Sequence, residues 1–210
     1  MEEFKHYTVM KNEAVDALDC KNGLVYVDCT LGGGGHSELI LKRIQPDGKL
    51  IAFDVDDDAI RASQERLKDY KNLTIVKDSY ANIKNVLHSL GIEKITGGVL
   101  FDLGASYHQL TKGERGFSFS KEAPLDMRFN QEADFSAYDV VNSYPEAELV
   151  RIFSEYGEER FSKRIAKKIV EERKVRKLET TKDLADLIVN CTPHIKSNIH
   201  PATRVFQAIR

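Results

Sequence analysis

Residues 24–36 read LVYVDCTLGGGGH, an apolar run that passes through Asp28 into four consecutive glycines, Gly32 to Gly35. The residues after the glycines have helical spacing, so this stretch predicts a strand, a tight turn and a helix. A strand that turns through glycines into a helix brings the backbone of an open α/β sheet against a ligand. The glycine turn (residues 32–35) is therefore the first candidate ligand site, although many such turns only join a strand to a helix.

A second apolar run, Lys49 to Phe53, ends at a carboxylate that suits a nucleoside ligand. Asp54 follows Gly34 by 20 residues, which matches the spacing of about 20 expected for an acidic residue that grips a ribose diol. A carboxylate suits this role because it accepts hydrogen bonds from both hydroxyls at once. The spacing therefore predicts a nucleoside-containing ligand.

The glycine turn matches neither common phosphate-binding pattern. A dinucleotide fingerprint needs a third glycine five residues after the first, and counting from Gly32 or Gly33 finds none; a P-loop needs Gly-Lys-Ser/Thr, and Gly35 is followed by histidine. No lysine or arginine lies in the turn, and Asp28 would repel a pyrophosphate but not a cationic ligand. This pattern fits S-adenosyl-L-methionine better than NAD or ATP, with a purely structural turn as the alternative.

Composition and charge limit the classes of protein to which this sequence can belong. The chain has 210 residues, 41% of them hydrophobic, and a formal net charge of −2, which does not indicate a nucleic-acid binder by itself. Three widely spaced cysteines without a CxxC pair argue against a disulfide framework or a zinc site. The N-terminus is acidic without an apolar signal region, and no apolar run approaches a membrane span. We expect a soluble cytoplasmic protein without a metal.

The first half of the chain alternates as βαβ units, which are typical of a parallel sheet. The predicted strands are Leu24–Cys29, Lys49–Asp54, Leu73–Lys77 and Gly98–Leu103, with helices near His36–Ile44, Asp57–Tyr70 and Tyr80–Leu90 between them. Asp57 or Asp58 is expected to cap the second of these helices, and Ser79 the third. Ligands gather at the carboxyl ends of such strands. Four aspartates are expected there, namely Asp28, Asp54, Asp78 and Asp102.

The pattern changes in the second half. Gly104 to Gln131 is a long polar loop without clear periodicity, and loops of this length are usually functional or disordered. Five helices are predicted after it, namely Ser136–Ser143, Pro145–Tyr156, Glu158–Lys177, Lys182–Asn190 and Pro201–Arg210. Thr181 is expected to cap the fourth of them. Only four strands are visible and nothing returns to the sheet, so we expect the chain to stop before the sheet is complete.

Asp102 closes the fourth predicted strand, and Ser106 follows in the same loop. Methyltransferases that act on exocyclic amines present hydrogen-bond acceptors to the target NH2 at this position. An aniline-like amine is a poor nucleophile because its lone pair is delocalised, and acceptors that hold its hydrogens free the lone pair for attack on the methyl group. Asp102 and Ser106 are therefore the candidate catalytic residues. The alternative is that Asp102 only caps the strand or orients the cofactor.

Longer motifs make the sequence similar to the MraW (RsmH) family of ribosomal RNA small-subunit methyltransferases. They are HYTVM at 6–10, TLGGGGHS at 30–37, DLG at 102–104, QL at 109–110, ERGFSF at 114–119, LDMR at 125–128, YGEERF at 156–161 and HPATR at 200–204. The motifs run the length of the chain, and ERGFSF and LDMR are highly specific.

The resemblance implies a fold, a reaction and a partner. The fold class is α/β: a Rossmann-like S-adenosylmethionine-dependent methyltransferase sheet in residues 1–105, followed in residues 106–210 by a loop and an inserted helical substrate-recognition subdomain. The reaction is methylation of the N4 amine of a cytosine in the decoding centre. The partner is small-subunit ribosomal RNA or an assembling small ribosomal subunit.

The resemblance also implies cofactor contacts. They are Gly34, Gly35, His36, Asp54, Tyr80, Asp102 and Gln109. The sequence departs from the family in the loop after the fourth strand, where Ala105, Tyr107 and His108 replace Val, Ser and Pro. It also departs in length, because family members continue for about half a domain past the HPATR segment. These departures leave the loop geometry and the activity of this chain open.

A segment rich in lysine and arginine, residues 160–177, is a candidate RNA contact. Its predicted helix places Arg160, Arg164, Lys167 and Lys168 on one face and Phe161, Ile165 and Ile169 on the opposing apolar stripe. A solvated charged face is the usual explanation of such a run, whereas the resemblance favours contact with an RNA backbone. Further candidates are Arg115, Arg128 and Arg204. The target cytosine must also leave its stack to meet the methyl group.

Two functions of different class follow. The first is an active cytosine-N4 methyltransferase on small-subunit ribosomal RNA. The second is a truncated, catalytically impaired module that binds RNA or the methyl donor without turnover. A small-molecule methyltransferase is disfavoured by the helical insertion and its basic face.

Overall fold

The computed structural model describes residues 8–193 and 199–210. The first two residues of the HYTVM motif and the acidic N-terminus lie outside this range. The described chain divides into two compact units, one of residues 8–108 with 129–131 and one of residues 109–128 with 132–193 and 199–210.

The first unit is built on four parallel strands. These are β1 (Val25–Asp28), β2 (Lys49–Asp54), β3 (Leu73–Lys77) and β4 (Val99–Leu100), in the spatial order β3-β2-β1-β4. All four predicted strands are confirmed, but β4 is shorter than predicted. It pairs with β1, whose last residue Asp28 lies opposite Leu100. Beyond this point residues 101–103 pair with no strand of the described ranges, and Phe101 and Leu103 are exposed.

Helices cover both faces of the sheet. The helices of this unit are α1 (Lys11–Ala17), α2 (Gly35–Ile44), α3 (Asp57–Arg66) and α4 (Ile83–Ser89), the last preceded by a 3-10 turn at Tyr80–Asn82. Tyr26 and Leu50 pack in one core with residues of α1 and α2, whereas Val27, Ile51 and Leu87 pack in a second core that includes α4. Adjacent strand residues thus enter opposite cores, as expected for strands buried on both faces.

One of the two predicted helix caps in this unit differs from the structure. Asp56, not Asp57 or Asp58, caps α3, because its side chain accepts a hydrogen bond from the backbone N–H of Asp58 at 3.0 Å. Ser79 caps the 3-10 turn as predicted, accepting from Ala81 at 3.2 Å. Helix α1 was not predicted; it is only 7 residues long and lacks a side-chain cap.

The second unit is helical. After α5 (Tyr107–Thr111), which begins at the end of the first unit, it contains α6 (Ala137–Ser143), α7 (Glu146–Glu155), α8 (Ser162–Glu172), α9 (Thr181–Cys191) and α10 (Thr203–Ile209). The prediction that residues 104–131 lack regular structure was wrong, since α5 and a 3-10 turn at Gly113–Arg115 lie there. No helix in the described ranges is long and apolar enough to cross a bilayer.

Helix α8 is shorter than the predicted helix over 158–177. Glu158 has a left-handed backbone with a φ of 50°, and the helix begins only at Ser162. A left-handed residue cannot continue a right-handed helix, so the segment breaks there. Arg160 therefore lies in the turn before α8 and not on its basic face, which corrects that part of the prediction.

Helix α9 is capped by Thr180 rather than by the predicted Thr181. The Thr180 hydroxyl accepts from the backbone N–H of Asp183, and the Asp183 carboxylate accepts from the backbone N–H of Thr180, both at 3.0 Å. Thr181 has another role, because its hydroxyl donates to the Lys121 carbonyl at 2.9 Å and accepts from the Ala123 N–H at 3.1 Å.

We expect Thr180→Ala to lower the free energy of unfolding by about 1 kcal/mol, since it removes one half of this capping box. Urea unfolding followed by circular dichroism measures the change. Lys182→Ala, an exposed substitution in the first turn of α9, is the matched control and is expected to change stability by less than about 0.5 kcal/mol. Equal stability of Thr180→Ala and the unmodified chain would contradict the assignment.

Candidate functional site

The glycine turn begins helix α2 at the carboxyl end of β1. Gly34 is the N-cap of α2 and has a φ of +73°, a conformation that side chains with a Cβ adopt at a cost. At Gly35 an added Cβ would lie 1.8 Å from the Thr8 hydroxyl oxygen, and its three nearest atoms all belong to Thr8. The N-terminal segment therefore packs directly on the turn, and glycine at position 35 makes this contact possible.

Asp54 ties the end of β2 to the glycine turn. One carboxylate oxygen accepts from the Gly32 N–H at 2.8 Å, and the other accepts from the Val55 and Asp56 N–H groups at 2.8 and 2.9 Å. Burial raises the pKa of the Asp54 carboxyl, with the Asp56 and Gly32 N–H groups acting in the opposite direction. Because three of about four lone-pair sites are used, this carboxylate has room for one ligand hydroxyl rather than two.

Asp28 lies beneath the turn and is completely buried. Its carboxylate accepts from the Thr30 N–H at 3.0 Å and from the Ser37 hydroxyl at 2.7 Å. Burial raises the pKa of the Asp28 carboxyl, and these two hydrogen bonds lower it in part. Thr30 in turn accepts from the Asp102 N–H at 2.7 Å through its hydroxyl oxygen. One polar network therefore connects α2, the turn and the end of β4.

His36 joins the N-terminal segment to Asp102. The imidazole is 5% exposed, and its Nε2 lies 3.1 Å from the Val9 carbonyl oxygen. Its Nδ1 lies 3.9 Å from a carboxylate oxygen of Asp102, close enough for an ion pair when the ring is protonated. The backbone of Asp102 is thus hydrogen-bonded to Thr30, and its side chain lies near His36.

Two aromatic rings lie near the carboxyl ends of β3 and β4. Tyr80, at the start of the 3-10 turn, packs edge-on against Phe101 with ring centroids 5.5 Å apart and an interplanar angle of 88°. Both rings are partly exposed, at 41% and 52%. Tyr80 was a predicted cofactor contact. Phe101 was read only as a strand residue, and the exposed ring at the end of β4 is a feature that strand periodicity alone does not reveal.

The loop after β4 holds the remaining predicted site residues. Ser106 is partly buried in the first unit, and His108 lies with its Nε2 3.7 Å from a carboxylate oxygen of Asp58. Gln109 is 6% exposed and is the first residue of the second unit. The structure thus brings the glycine turn, His36, Asp54 and Asp102 together at one edge of the first unit, whereas Gln109 belongs to the other unit.

Three arginines predicted to contact RNA make hydrogen bonds within the second unit. Arg115 is 5% exposed and donates to the Arg128 carbonyl at 2.8 Å. Arg128 forms a bidentate pair with Asp126 at 2.8 and 2.7 Å and also donates to the Ala133 carbonyl at 2.6 Å. Arg204 donates to the Glu158 carbonyl. The guanidinium groups of these residues therefore hold segments of the unit together.

Helix α8 presents its other predicted RNA contacts to solvent. Arg164, Lys167 and Lys168 are exposed, and Ile165 and Ile169 on the opposite face are completely buried. Lys168 lies 3.9 Å from Glu171, a distance at which an exposed pair contributes little. The Arg160 guanidinium lies 4.8 Å over the Phe161 ring in the preceding turn.

Comparison with known proteins gives the family. The sequence pattern of the MraW methylase family matches residues 3–210. The chain belongs to the MraW methylase family. The cofactor predicted from the sequence, S-adenosyl-L-methionine, is confirmed by this membership.

Curated relatives and solved structures add detail. The chain is 53% identical over 209 residues to a protein named ribosomal RNA small subunit methyltransferase H of Clostridium botulinum strain Loch Maree, and 51% identical to that of strain Kyoto. Each alignment covers 99% of this chain and 67% of the relative. A crystal structure of an rRNA methylase from Streptococcus thermophilus matches 58% of this chain and 70% of its own, with 19% identity and a TM-score of 0.38.

The residues of this MraW family member fit a cationic methyl donor. The turn is built of glycines without side chains, and Asp28, Asp54 and Asp102 are tied by hydrogen bonds to the turn or to the residues that flank it. Burial makes the charged forms of Asp28 and Asp54 costly, and a nearby positive charge offsets that cost. Over residues 8–193 and 199–210, no group of three or more His, Cys, Asp or Glu side chains is arranged to hold a metal ion.

A salt-bridge cluster supports the turn from outside. Glu38 in α2 pairs with Lys42 at 2.5 Å and with Arg66 of α3 at 2.5 Å, while Arg66 also donates to the Gly33 carbonyl at 3.1 Å. The hydrogen bond from Lys42 and the pair with Arg66 lower the pKa of the Glu38 carboxyl to about 2, against a smaller opposing effect of burial. Arg66 therefore links the charge of Glu38 to the backbone of the turn.

We expect Gly35→Ala to weaken binding of S-adenosylmethionine by at least about tenfold, because the new methyl group displaces Thr8 from the turn. Isothermal calorimetry measures the affinity. The double variant Thr8→Gly/Gly35→Ala removes all three of the nearest atoms and is expected to recover most of the affinity, with Thr8→Gly alone as the control. If the double variant binds as weakly as Gly35→Ala, the contact with Thr8 is not the cause.

We expect Glu38→Gln to destabilise the protein by about 1 kcal/mol at pH 7, a value discounted for partial exposure of the cluster. The folded pKa of Glu38 lies below its unfolded value, so its contribution is fully present above about pH 4.5 and is lost as the pH falls toward about 2. Denaturant unfolding between pH 7 and pH 3 measures the difference. Exposed Glu13→Gln is the control. A difference that stays constant over this range contradicts the lowered pKa.

Proposed function

We propose that this chain carries the donor site of an enzyme that methylates the exocyclic N4 amine of a cytosine in small-subunit ribosomal RNA, in the decoding centre. Membership of the MraW methylase family and relatives named ribosomal RNA small subunit methyltransferase H support the substrate class. The observation that carries the proposal is the position of Asp102. The backbone N–H of Asp102 donates to the Thr30 hydroxyl oxygen at 2.7 Å. The Asp102 carboxylate lies beside His36 at the edge formed by the glycine turn.

The carboxylate of Asp102 suits the chemistry of an aromatic amine. S-adenosylmethionine supplies a methyl group that is electrophilic because it is bonded to a positively charged sulfur. An N4 amine attacks poorly while its lone pair is delocalised into the ring. Asp102, as an acceptor, holds the amine hydrogens and directs the lone pair. As the N–C bond forms, the bond between the methyl carbon and sulfur breaks, its electron pair leaves with the neutral thioether product, and Asp102 takes up the proton that the amine loses. Ser106 is proposed as a second acceptor for the same amine.

The donor contacts are proposed to come from three elements of the first unit. The backbone of Gly34, Gly35 and His36 faces the amino-acid part of the donor, and Asp54 accepts from one ribose hydroxyl through its remaining lone pair. The Tyr80 ring, steadied by Phe101, packs on the adenine. Gln109 is the remaining proposed donor contact.

The RNA backbone is proposed to lie on the exposed face of α8. Arg164, Lys167 and Lys168 are exposed there together with Lys163, and Arg160 lies in the turn just before the helix. Cations on a solvent-facing helix neutralise phosphates and release counterions, which is favourable without base contacts. Arg115, Arg128 and Arg204 are further proposed RNA contacts, and their guanidinium groups also donate to carbonyls within the unit.

The test measures donor binding and methyl transfer separately. The chain is incubated with tritiated S-adenosylmethionine and small ribosomal subunits that lack the mark, and the modified nucleoside is identified by mass spectrometry. Asp102→Asn is expected to keep donor affinity within about threefold and to lower transfer at least about 100-fold, since the amide is a weaker acceptor and cannot take the proton. Asp54→Ala is expected to weaken donor binding itself.

The control is Asp69→Asn, a matched change of an exposed carboxylate after α3, which is expected to leave both measurements unchanged. Incorporation at an atom other than cytosine N4 would contradict the proposed target. Donor binding without any methyl transfer would contradict the proposed enzymatic activity. It would favour the alternative, a module that binds donor or RNA without turnover.

A further inference from the structure

An aromatic ring pair lies on the surface of the second unit, away from the features assigned above. Phe135 precedes α6 and is 50% exposed, and Tyr144 ends the same helix. Their ring centroids are 5.6 Å apart with an interplanar angle of 33°. The two rings meet across the length of a 7-residue helix, and together they present a partly exposed aromatic surface (the ring pair).

A basic segment lies against the same helix. Arg173 donates to the carbonyls of Val141 and Tyr144 at 2.8 and 2.7 Å, and Leu178 exchanges two hydrogen bonds with the Asn142 side chain at 2.9 and 3.1 Å. These bonds hold residues 173–178 along the C-terminal half of α6. The segment carries four cations, namely Arg173, Lys174, Arg176 and Lys177.

Two exposed lysines lie on this segment. Arg176 pairs with Asp183 at 2.9 Å, whereas Lys174 and Lys177 are exposed and, within the described ranges, form no ion pair. The carboxylates of Asp134 and Asp139 lie close enough to Arg128 to raise its pKa, after the larger effect of its hydrogen bond with Asp126. These three acids therefore share one arginine, whereas the two lysines have no ion-pair partner in the part of the chain that the structure describes.

We propose that the ring pair and the basic segment form a binding site for single-stranded RNA, in which an unpaired base stacks on Phe135 and Tyr144 while Lys174 and Lys177 contact its phosphates. This inference rests on the proposed function and adds a second RNA contact outside the donor site. Proteins bind single strands by combining a positively charged track with aromatic side chains, because every base has a face that stacks. The cores of protein–protein interfaces are instead depleted in lysine, which disfavours a protein partner here.

The test uses a 12-nucleotide single-stranded RNA that contains 2-aminopurine, whose fluorescence falls when it stacks. The chain has no tryptophan, so its own emission does not mask the probe. Phe135→Ala is expected to weaken RNA binding by about tenfold and to remove the quenching. It carries no charge change, so the dependence of affinity on salt is expected to stay the same. Phe135→Tyr keeps a ring and is expected to restore both affinity and quenching.

Lys174→Ala is expected to act differently. It removes one phosphate contact, so the slope of log affinity against log salt is expected to fall by about 0.7, with quenching retained at saturation. Val175→Ala is the matched control, because Val175 is 89% exposed on the same segment and carries neither a ring nor a charge. Circular dichroism of each variant checks that the helical unit is folded.

The outcomes separate this inference from the proposed function. If Phe135→Ala binds the RNA as tightly as the unmodified chain, the stacking site is wrong and the proposed methyl transfer is unaffected. A change in oligomeric state with unchanged RNA affinity would assign the ring pair to a protein contact and overturn the inference. If the unmodified chain binds no single-stranded RNA at 50 mM salt, the inference is overturned, whereas the proposed function is decided separately by methyl transfer to small ribosomal subunits.

Discussion

The buried carboxylate of Asp28 is the interaction on which the donor edge depends. Burying a carboxylate away from water costs free energy unless hydrogen bonds replace its solvation. Asp28 accepts such hydrogen bonds from the Thr30 N–H and the Ser37 hydroxyl. Those two residues lie on either side of the glycine turn, so satisfying one buried group fixes both ends of the turn. Thr30 then carries the constraint to Asp102 through its hydroxyl oxygen. The glycine turn and the proposed catalytic carboxylate are therefore positioned by the same buried charge.

Sequence reasoning predicted the elements better than their ends. The apolar runs before Asp28 and Asp54 specified buried parallel strands, because such strands lack polar alternation. Caps depend on the backbone of a single residue, and three consecutive aspartates, Asp56 to Asp58, offer no pattern that selects the first. The left-handed Glu158 is likewise invisible, since glutamate has no preference for that conformation. Local steric choices of this kind are decided by packing and not by periodicity.

The site was predictable in its residue types but not in its connections. Spacing identified Asp54, yet the sequence does not show that most of its lone pairs already serve the protein. Thr30 and Ser37 were not singled out, because hydroxyl residues are common and their partners are decided in three dimensions. A high density of charged residues in the sequence likewise does not reveal the partner of each side chain. Arg115 and Arg128 are predicted RNA contacts, and the sequence does not show that their guanidinium groups also bind carbonyls within the unit.

The acidic character of the donor edge has a consequence for the direction of the proposed reaction. The donor carries a positive sulfonium, and the product that remains after methyl transfer is neutral. Asp28 and Asp54 are buried carboxylates whose raised pKa values show that their charges are poorly solvated. A nearby cation lowers the free-energy cost of these buried charges, and the cost returns when the sulfonium charge is lost. In the proposed reaction, the same carboxylates that favour binding of the cationic donor therefore disfavour retention of the neutral product.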